Sequence, residues 1–301
     1  SSPSAHVIIE QDKYQLQDIH NPDKSFYLNF TQLNRAWNGD TVFYQTDYEK
    51  NKSNTQVVSI QTTNRANIYI PGILYVNSQT SYGHNKRGVP LYLFRPADPN
   101  LPKMHVASTW RKTHKHSHLP IYVVVKYHSW TEEQNLPRGN VERLIGEIGT
   151  YEHEKMYILE KNYLFFPSYK KKFLQEWEKT LPTLEEGLLN RTDLRDLPIF
   201  SIDPEGSKDL DDAIHLFPLP SPKKSSSKHP NKSIYQIGVH IADVSYWVPS
   251  DSLLQPFLQQ KLTSIYQPDK VINLLPDILA NNLCSILPCT DRLAISLLWE
   301  V

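Results

Sequence analysis

The sequence predicts a mainly β protein that ends in an α+β part, and three observations carry that prediction. Aromatic and β-branched residues come in short runs through the first half of the chain, with Pro and Gly between them. Apart from one short turn, helical spacing of apolar residues begins near Lys170. Beyond it, strand-like and helix-like stretches alternate. A chain of 301 residues with 39% hydrophobic and 21% charged content is long and apolar enough for two or three globular domains.

Ser25 to Phe30 reads as a strand, and Leu33, Ala36 and Trp37 suit a short helical turn. Asn38-Gly39-Asp40 then offers turn chemistry before the strand-like Thr41 to Tyr44, because Asn-Gly accepts positive φ at little cost. The polar stretch Asp47 to Asn64 reads as a linker or loop. A second strand-rich block follows, with Ile68, Ile70, Ile73 to Val76, Val89 to Phe94, Ile121 to Val125 and Val141 to Ile148. Two small β-barrels or sandwiches in series account for this pattern; oligonucleotide-binding barrels fit the size and spacing, as do other small β folds.

Phe173, Leu174, Trp177 and Leu181 predict a helix that Pro182 stops. Strands are expected at Pro198 to Ile202, Asp212 to Leu216, Ser233 to Val239 and Ala294 to Trp299. Helices are expected after Ser250 or Asp251 and over Pro276 to Cys284. The Ser-, Lys- and Pro-rich insert Pro220 to Lys232 reads as a flexible connection. The implied domains are 1–66 and 67–166 for the two β modules, 167–192 for a connecting helix, and 193–301 for the mixed part.

Formal net charge is zero, so a polyanion site must come from local clustering. Cys284 and Cys289 are too few for a disulfide framework, and structural burial is the default for both. No apolar run is long enough to span a bilayer, so an intracellular location, cytoplasmic or nuclear, is expected without a membrane partner. The missing initiator Met and the strand-like end Leu293 to Val301 read as an excerpt of a longer protein.

The sharpest concentration of charge is Ile202-Asp203-Pro204-Glu205-Gly206-Ser207-Lys208-Asp209-Leu210-Asp211-Asp212-Ala213-Ile214, with four aspartates in ten positions. Carboxylates this close repel one another unless a cation neutralises them, and hard oxygen ligands favour Mg²⁺, Mn²⁺ or Ca²⁺. Asp209 and Asp211 share a side if the segment is extended, and Asp212 points the other way unless the backbone bends. A solvated acidic loop is the competing reading. An EF-hand is excluded, since no Glu closes a 12-residue loop.

Asp-Leu-Arg-Asp-Leu-Pro at 193–198, the acidic run, Gly238-Val239-His240-Ile241-Ala242-Asp243-Val244-Ser245, Asn282-Leu283-Cys284-Ser285 and Asp291-Arg292-Leu293-Ala294 closely resemble the opening half of the RNB catalytic domain of RNase II and RNase R exoribonucleases. Upstream, Leu33 to Val42 is similar to the end of a first cold-shock domain. Arg95 to Val106, Val123 to Trp130 and Arg138 to Gly149 are similar to the second cold-shock domain of the eukaryotic, exosome-type branch. The resemblance implies two cold-shock-like β-barrels followed by the truncated start of an RNB domain. It also implies processive 3′-to-5′ hydrolysis of single-stranded RNA to 5′-mononucleotides, with an exosome core as a further partner.

By the same resemblance, Asp203, Asp209, Asp211 and Asp212 are the Mg²⁺ ligands and catalytic carboxylates, with Mn²⁺ as a substitute and Asp211 mattering most for catalysis. Tyr266 would stack on a base near the 3′ end. Lys103, Arg111 and Lys112 lie in a basic, histidine-containing stretch, 103–126, without an acidic residue; it is a candidate phosphate-tracking surface against the plain reading of a solvated loop. His240 and Asp243 read first as a core histidine and a turn or cap residue. The family's catalytic arginine segment and S1 domain are not in the sequence, which makes a non-catalytic RNA-binding or scaffold protein the rival reading.

Overall fold

The computed structural model describes all residues except 1–2, 12, 50–51, 63–64, 66–67, 78–81, 115–118, 165–168 and 221–233, and the side chains of 49, 52, 62 and 112. The flexible connection expected over Pro220 to Lys232 lies, except for Pro220, outside the described residues. The chain divides into two compact units, Ser1–Phe165 and Phe166–Val301.

The first unit begins with β1 (Ser4–Glu10), β2 (Lys13–Asp18), β3 (Ser25–Leu28), β4 (Thr41–Glu49) and β5 (Lys52–Thr62), antiparallel in the order β3-β2-β1-β4-β5. Alternation along these strands buries Ala5, Val7, Leu16, Val42, Tyr44 and Val57 on one face. The sheet curls: in the turn between β3 and β4, the Gln32 carbonyl accepts from Val57 N–H of β5 at 2.9 Å. Leu33, Ala36 and Trp37 of that segment are buried, as their spacing predicts. Gly39 turns the chain at φ +85°, a conformation that Asn-Gly-Asp permits. The stretch expected as a linker, Asp47 to Asn64, is instead largely the β4–β5 hairpin. Its Thr, Gln, Asn and Ser residues give little apolar alternation, so pairing with β4 rather than local pattern makes it a strand.

Next come β6 (Tyr69–Leu74), β7 (Leu91–Pro96), β8 (Met104–Ala107), the short α1 (Trp110–Thr113), β9 (Ile121–Ser129), β10 (Arg138–Glu147) and α2 (Tyr151–Lys161). The five strands form a closed barrel in the order β10-β8-β7-β6-β9, completed by parallel pairing of β10 with β8. Five strands closed in this way are the oligonucleotide-binding architecture. Ile70, Leu74, Phe94, Met104, Val106, Ile121, Val123 and Val125 fill it. Trp37 of the first module packs on this core, edge-on to Tyr127 with ring centroids 5.0 Å apart. Helix α2, absent from the sequence expectation, lays Met156 and Tyr157 against Tyr122, Val124 and Ile145 on the outside of the barrel.

The second unit holds α3 (Lys171–Glu178) and α4 (Leu184–Leu188); Pro182 lies between them, but α3 already ends at Glu178 and leaves Leu181, expected within it, outside. Thr183 and Glu186 form a capping box at the start of α4. Strands β11 (Asp212–Leu219), β12 (Ile234–Ala242) and β15 (Ala294–Glu300) make an antiparallel sheet in the order β11-β12-β15; β13 (Ile265–Tyr266) and β14 (Val271–Ile272) form a small ribbon. Between these lie α5 (Val244–Trp247), α6 (Gln255–Lys261) and a π-helical turn, Leu279–Leu283. The core gathers Trp177, Trp247, Val248, Leu254, Leu279, Cys284 and Leu293.

Three further local expectations shift. Pro198 to Ile202 is not a strand but a single bridge, Phe200 to Ile214. Helix α6 starts after Leu254 rather than at Ser250 or Asp251, because Pro256 sits in its first turn, where a missing N–H costs nothing. Cys284 is buried, but Cys289 is exposed in a loop at φ +54°.

Candidate active site

The acidic run is shaped by its backbone. Ser207 N–H closes a turn on the Pro204 carbonyl at 3.1 Å, and Gly206 supplies the φ of +87° that the turn needs. Beyond the turn the chain is tied at consecutive residues. Leu210 N–H donates to Ser285 Oγ at 3.0 Å, and the Ser285 hydroxyl donates to the Lys208 carbonyl at 2.8 Å. Ile286 N–H reaches the Leu210 carbonyl at 2.6 Å, and Ala242 N–H the Asp211 carbonyl at 2.9 Å. Leu210 is buried, Asp209 is half-buried, and Asp203, Asp211 and Asp212 are exposed. Asp212 opens β11 opposite Ile241, on the same sheet face as Ile214 and Leu216.

Tyr266, on the β13–β14 ribbon, donates its hydroxyl to Asp209 Oδ2 at 3.0 Å. Its phenol is raised above the ordinary tyrosine value, first by that hydrogen bond and the Asp209 charge, then by slight burial and the Asp211 charge. The residue nevertheless stays 70% exposed. The structure therefore brings Tyr266 onto Asp209, two residues from Asp211, from segments more than fifty positions apart in sequence. It does not gather all four aspartates: among the described residues, no three His, Cys, Asp or Glu side chains converge as a metal cluster.

His240 and Asp243 sit behind this loop. The two imidazoles of His215 and His240 are buried and hydrogen-bonded at 2.8 Å, and His240 Nδ1 meets Ser296 Oγ at 2.8 Å. Burial, then the neighbouring His215, holds His240 below the ordinary histidine value. A Cβ at Gly238 would lie 2.2 Å from the His215 ring, so the pair requires glycine there. Asp243 caps α5 by accepting from Tyr246 N–H. Burial alone would raise its carboxyl, but the Ser245 hydroxyl, the Arg191 guanidinium at 2.5 Å and Tyr246 N–H outweigh that and hold it low. His240 and Ser296, with Arg191, Arg195 and Arg292, line a cleft of about 790 Å³ in the second unit.

In the first unit, Lys103 and Arg111 are exposed beside β8 and on α1, while the Lys112 side chain and residues 115–118 lie outside the described residues. Trp110 stacks on His114, ring centroids 3.5 Å apart. The residues that sequence reasoning left without a role are His215, Arg191 and Ser285. The last was visible in Asn282-Leu283-Cys284-Ser285, but nothing local connects it to a loop 75 positions earlier.

Residues 191–301 match the RNB domain, and residues 91–163 match the Dis3-like cold-shock domain 2 (CSD2). The chain carries an RNB domain. Over 215 residues it is 34% identical to DIS3-like exonuclease 2 of Xenopus tropicalis, an alignment covering 69% of this chain and 24% of that protein. It thus spans about a quarter of that relative's length. Among solved structures, the apo form of Mycoplasma genitalium RNase R superposes with a TM-score of 0.69 at 22% identity, over 98% of this chain and 43% of that one. Yeast Ssd1, a pseudonuclease, superposes with a TM-score of 0.60 at 16% identity, over 99% of this chain and 41% of that one. At these identities the two structures establish the fold: an oligonucleotide-binding barrel and an RNB domain, in the expected mainly β chain with an α+β C-terminal part. Among the described residues, no helix is long and apolar enough to cross a membrane.

Proposed function

We propose that this RNB-domain chain works as a hydrolytic 3′-to-5′ exoribonuclease on single-stranded RNA inside the cell and releases 5′-mononucleotides. One observation carries the reading: the exposed Tyr266 is joined through its hydroxyl to Asp209, two residues from Asp211. A face-on aromatic contributes roughly 1–3 kcal/mol per stacked base and is blind to base identity. Tied to Asp209, it would hold the terminal nucleotide where water attacks phosphorus and the P–O3′ bond breaks.

The donor chemistry fits Mg²⁺, with Mn²⁺ as a substitute. Asp209 and Asp211 are hard oxygen donors two residues apart on one tied stretch of backbone, and Mg²⁺ characteristically keeps several waters and takes one or two carboxylates plus substrate phosphate oxygens, so a three-carboxylate cage is not needed. Asp209 and Asp211 would hold the ion, with Asp203 and Asp212 proposed as further ligands. When bound, such an ion would neutralise the charge developing at the phosphodiester. The Tyr266 hydroxyl would keep the Asp209 carboxylate oriented, while Lys103, Arg111 and Lys112 of the barrel unit are proposed to track phosphates. An exosome core is the protein partner this reading implies.

The likeness to a pseudonuclease, together with the unassembled aspartates, favours a second reading as a non-catalytic RNA-binding scaffold. Incubation of the chain with 5′-labelled single-stranded RNA and Mg²⁺ separates the two. Stepwise shortening from the 3′ end that Asp211→Asn abolishes supports the exoribonuclease. Salt-dependent RNA binding without shortening supports the scaffold.

A further inference from the structure

We propose that Ser285 is the positioning residue of the acidic loop, setting the direction of the Asp209 and Asp211 carboxylates without touching substrate. The inference rests on the reading that this pair holds a divalent cation. The Ser285 side chain is completely buried, and its one hydroxyl is used twice. It accepts from Leu210 N–H at 3.0 Å and donates to the Lys208 carbonyl at 2.8 Å. Those two groups belong to the peptide planes on either side of Asp209, so one oxygen atom constrains both backbone torsions of that residue. Ile286 N–H adds a third tie, to the Leu210 carbonyl at 2.6 Å.

With Leu210 buried, alternation along the tied chain turns Asp209 and Asp211 to the other side, where Asp209 meets the Tyr266 hydroxyl. The clamp is itself held: Arg292 Nε donates to the Asn282 and Ser285 carbonyls, each at 2.9 Å, and its terminal nitrogen reaches Asn282 Oδ1 at 2.7 Å. Asn282, Ser285 and Arg292 therefore form a bracket under the loop; Asp212 is held by its pairing in β11, while Asp203 precedes the Gly206 turn and, among the described residues, has no such tie. Supports of this kind, one step removed from the ligands, typically change metal affinity or activity by about 10–100-fold when lost.

The test is Mn²⁺ binding by the full chain, read from the electron paramagnetic resonance signal of free Mn²⁺, for wild type, Ser285→Ala, Ser285→Cys and Ser285→Thr. Ser285→Cys keeps the volume but offers a weak donor and acceptor, so it carries the test if the alanine variant does not fold. The loss variants are expected to bind Mn²⁺ about 10-fold or more weakly, and Ser285→Thr, which keeps the hydroxyl, to recover most of that affinity. RNA turnover is expected to fall in kcat with KM for RNA little changed. Unchanged Mn²⁺ affinity in folded Ser285→Ala or Ser285→Cys overturns the proposal, as does a wild type that binds no Mn²⁺. A wild type whose Mn²⁺ affinity depends on Ser285 but which leaves RNA intact overturns the exoribonuclease reading alone.

Discussion

The joint between the first β module and the barrel should fail steeply when Arg65 is replaced by Met. The Arg65 guanidinium forms an ion pair with Asp40, whose side chain is 4% exposed while that of Arg65 is 6% exposed. Asp40 also accepts from Trp37 N–H at 2.7 Å, and Arg65 donates to the Arg35 carbonyl at 2.8 Å while lying 4.5 Å from the Trp37 ring. Removing the cation leaves a buried carboxylate without its counter-charge among the described residues. The cost of that is about 3–5 kcal/mol, whereas exchanging both partners for apolar groups of similar volume is often neutral or stabilising. Arg65→Met alone should therefore raise hydrogen exchange in peptides covering residues 33–44 by roughly 100-fold or more. Arg65→Met with Asp40→Leu should restore much of the protection, short of the lost Trp37 bond. A single variant within about 1 kcal/mol of wild type, or a double variant worse than the single, would refute the buried-charge argument.

Two further outcomes follow from the site and from the first module. Tyr266→Ala should weaken binding of single-stranded RNA by roughly 5–150-fold whatever the terminal base, the equivalent of one lost stack, while Tyr266→Phe should keep that affinity and lose only what the hydroxyl does for Asp209; fluorescence anisotropy with oligo-U and oligo-A would expose any base dependence. Asp18 is held below its ordinary value of 3.8 first by the Tyr44 hydroxyl and then by the Asn21 and His20 N–H groups, against the opposing effect of burial. Because the folded carboxyl is the stronger acid, its stabilisation is complete above the unfolded value and disappears as pH falls through the folded one. Chemical denaturation of Asp18→Asn should accordingly show a shallower acid limb than wild type below about pH 4, and identical limbs would remove Asp18 from the account.

Much of the second unit was legible because its signals are local. Pro182 bars a helix from running on through it, and Asp203 to Asp212 concentrates charge without any need to know the fold. The β4–β5 hairpin was not legible, since Gln, Asn, Thr and Ser on a half-solvated ribbon carry neither helical nor strand periodicity. Helix α2 escaped notice for a related reason: its buried positions include Lys155 and Glu160, which are placed by Glu152 and Arg143 rather than by apolar spacing. Pairing partners supply what the local pattern lacks, and those partners are distant in the chain.

The candidate site divides along the same line. By itself the sequence determined the kinds of group available: four carboxylates on a short loop, an aromatic for a base, two β modules ahead of them and a likeness to the RNB family. Only the tertiary structure decided which of these meet. It set Tyr266 on Asp209, separated Asp203 from the pair by a turn, and placed Ser285 under the loop as its clamp. Charge density is a property of neighbours along the chain. The direction of a carboxylate is set by backbone hydrogen bonds, and here those run to residues dozens of positions away.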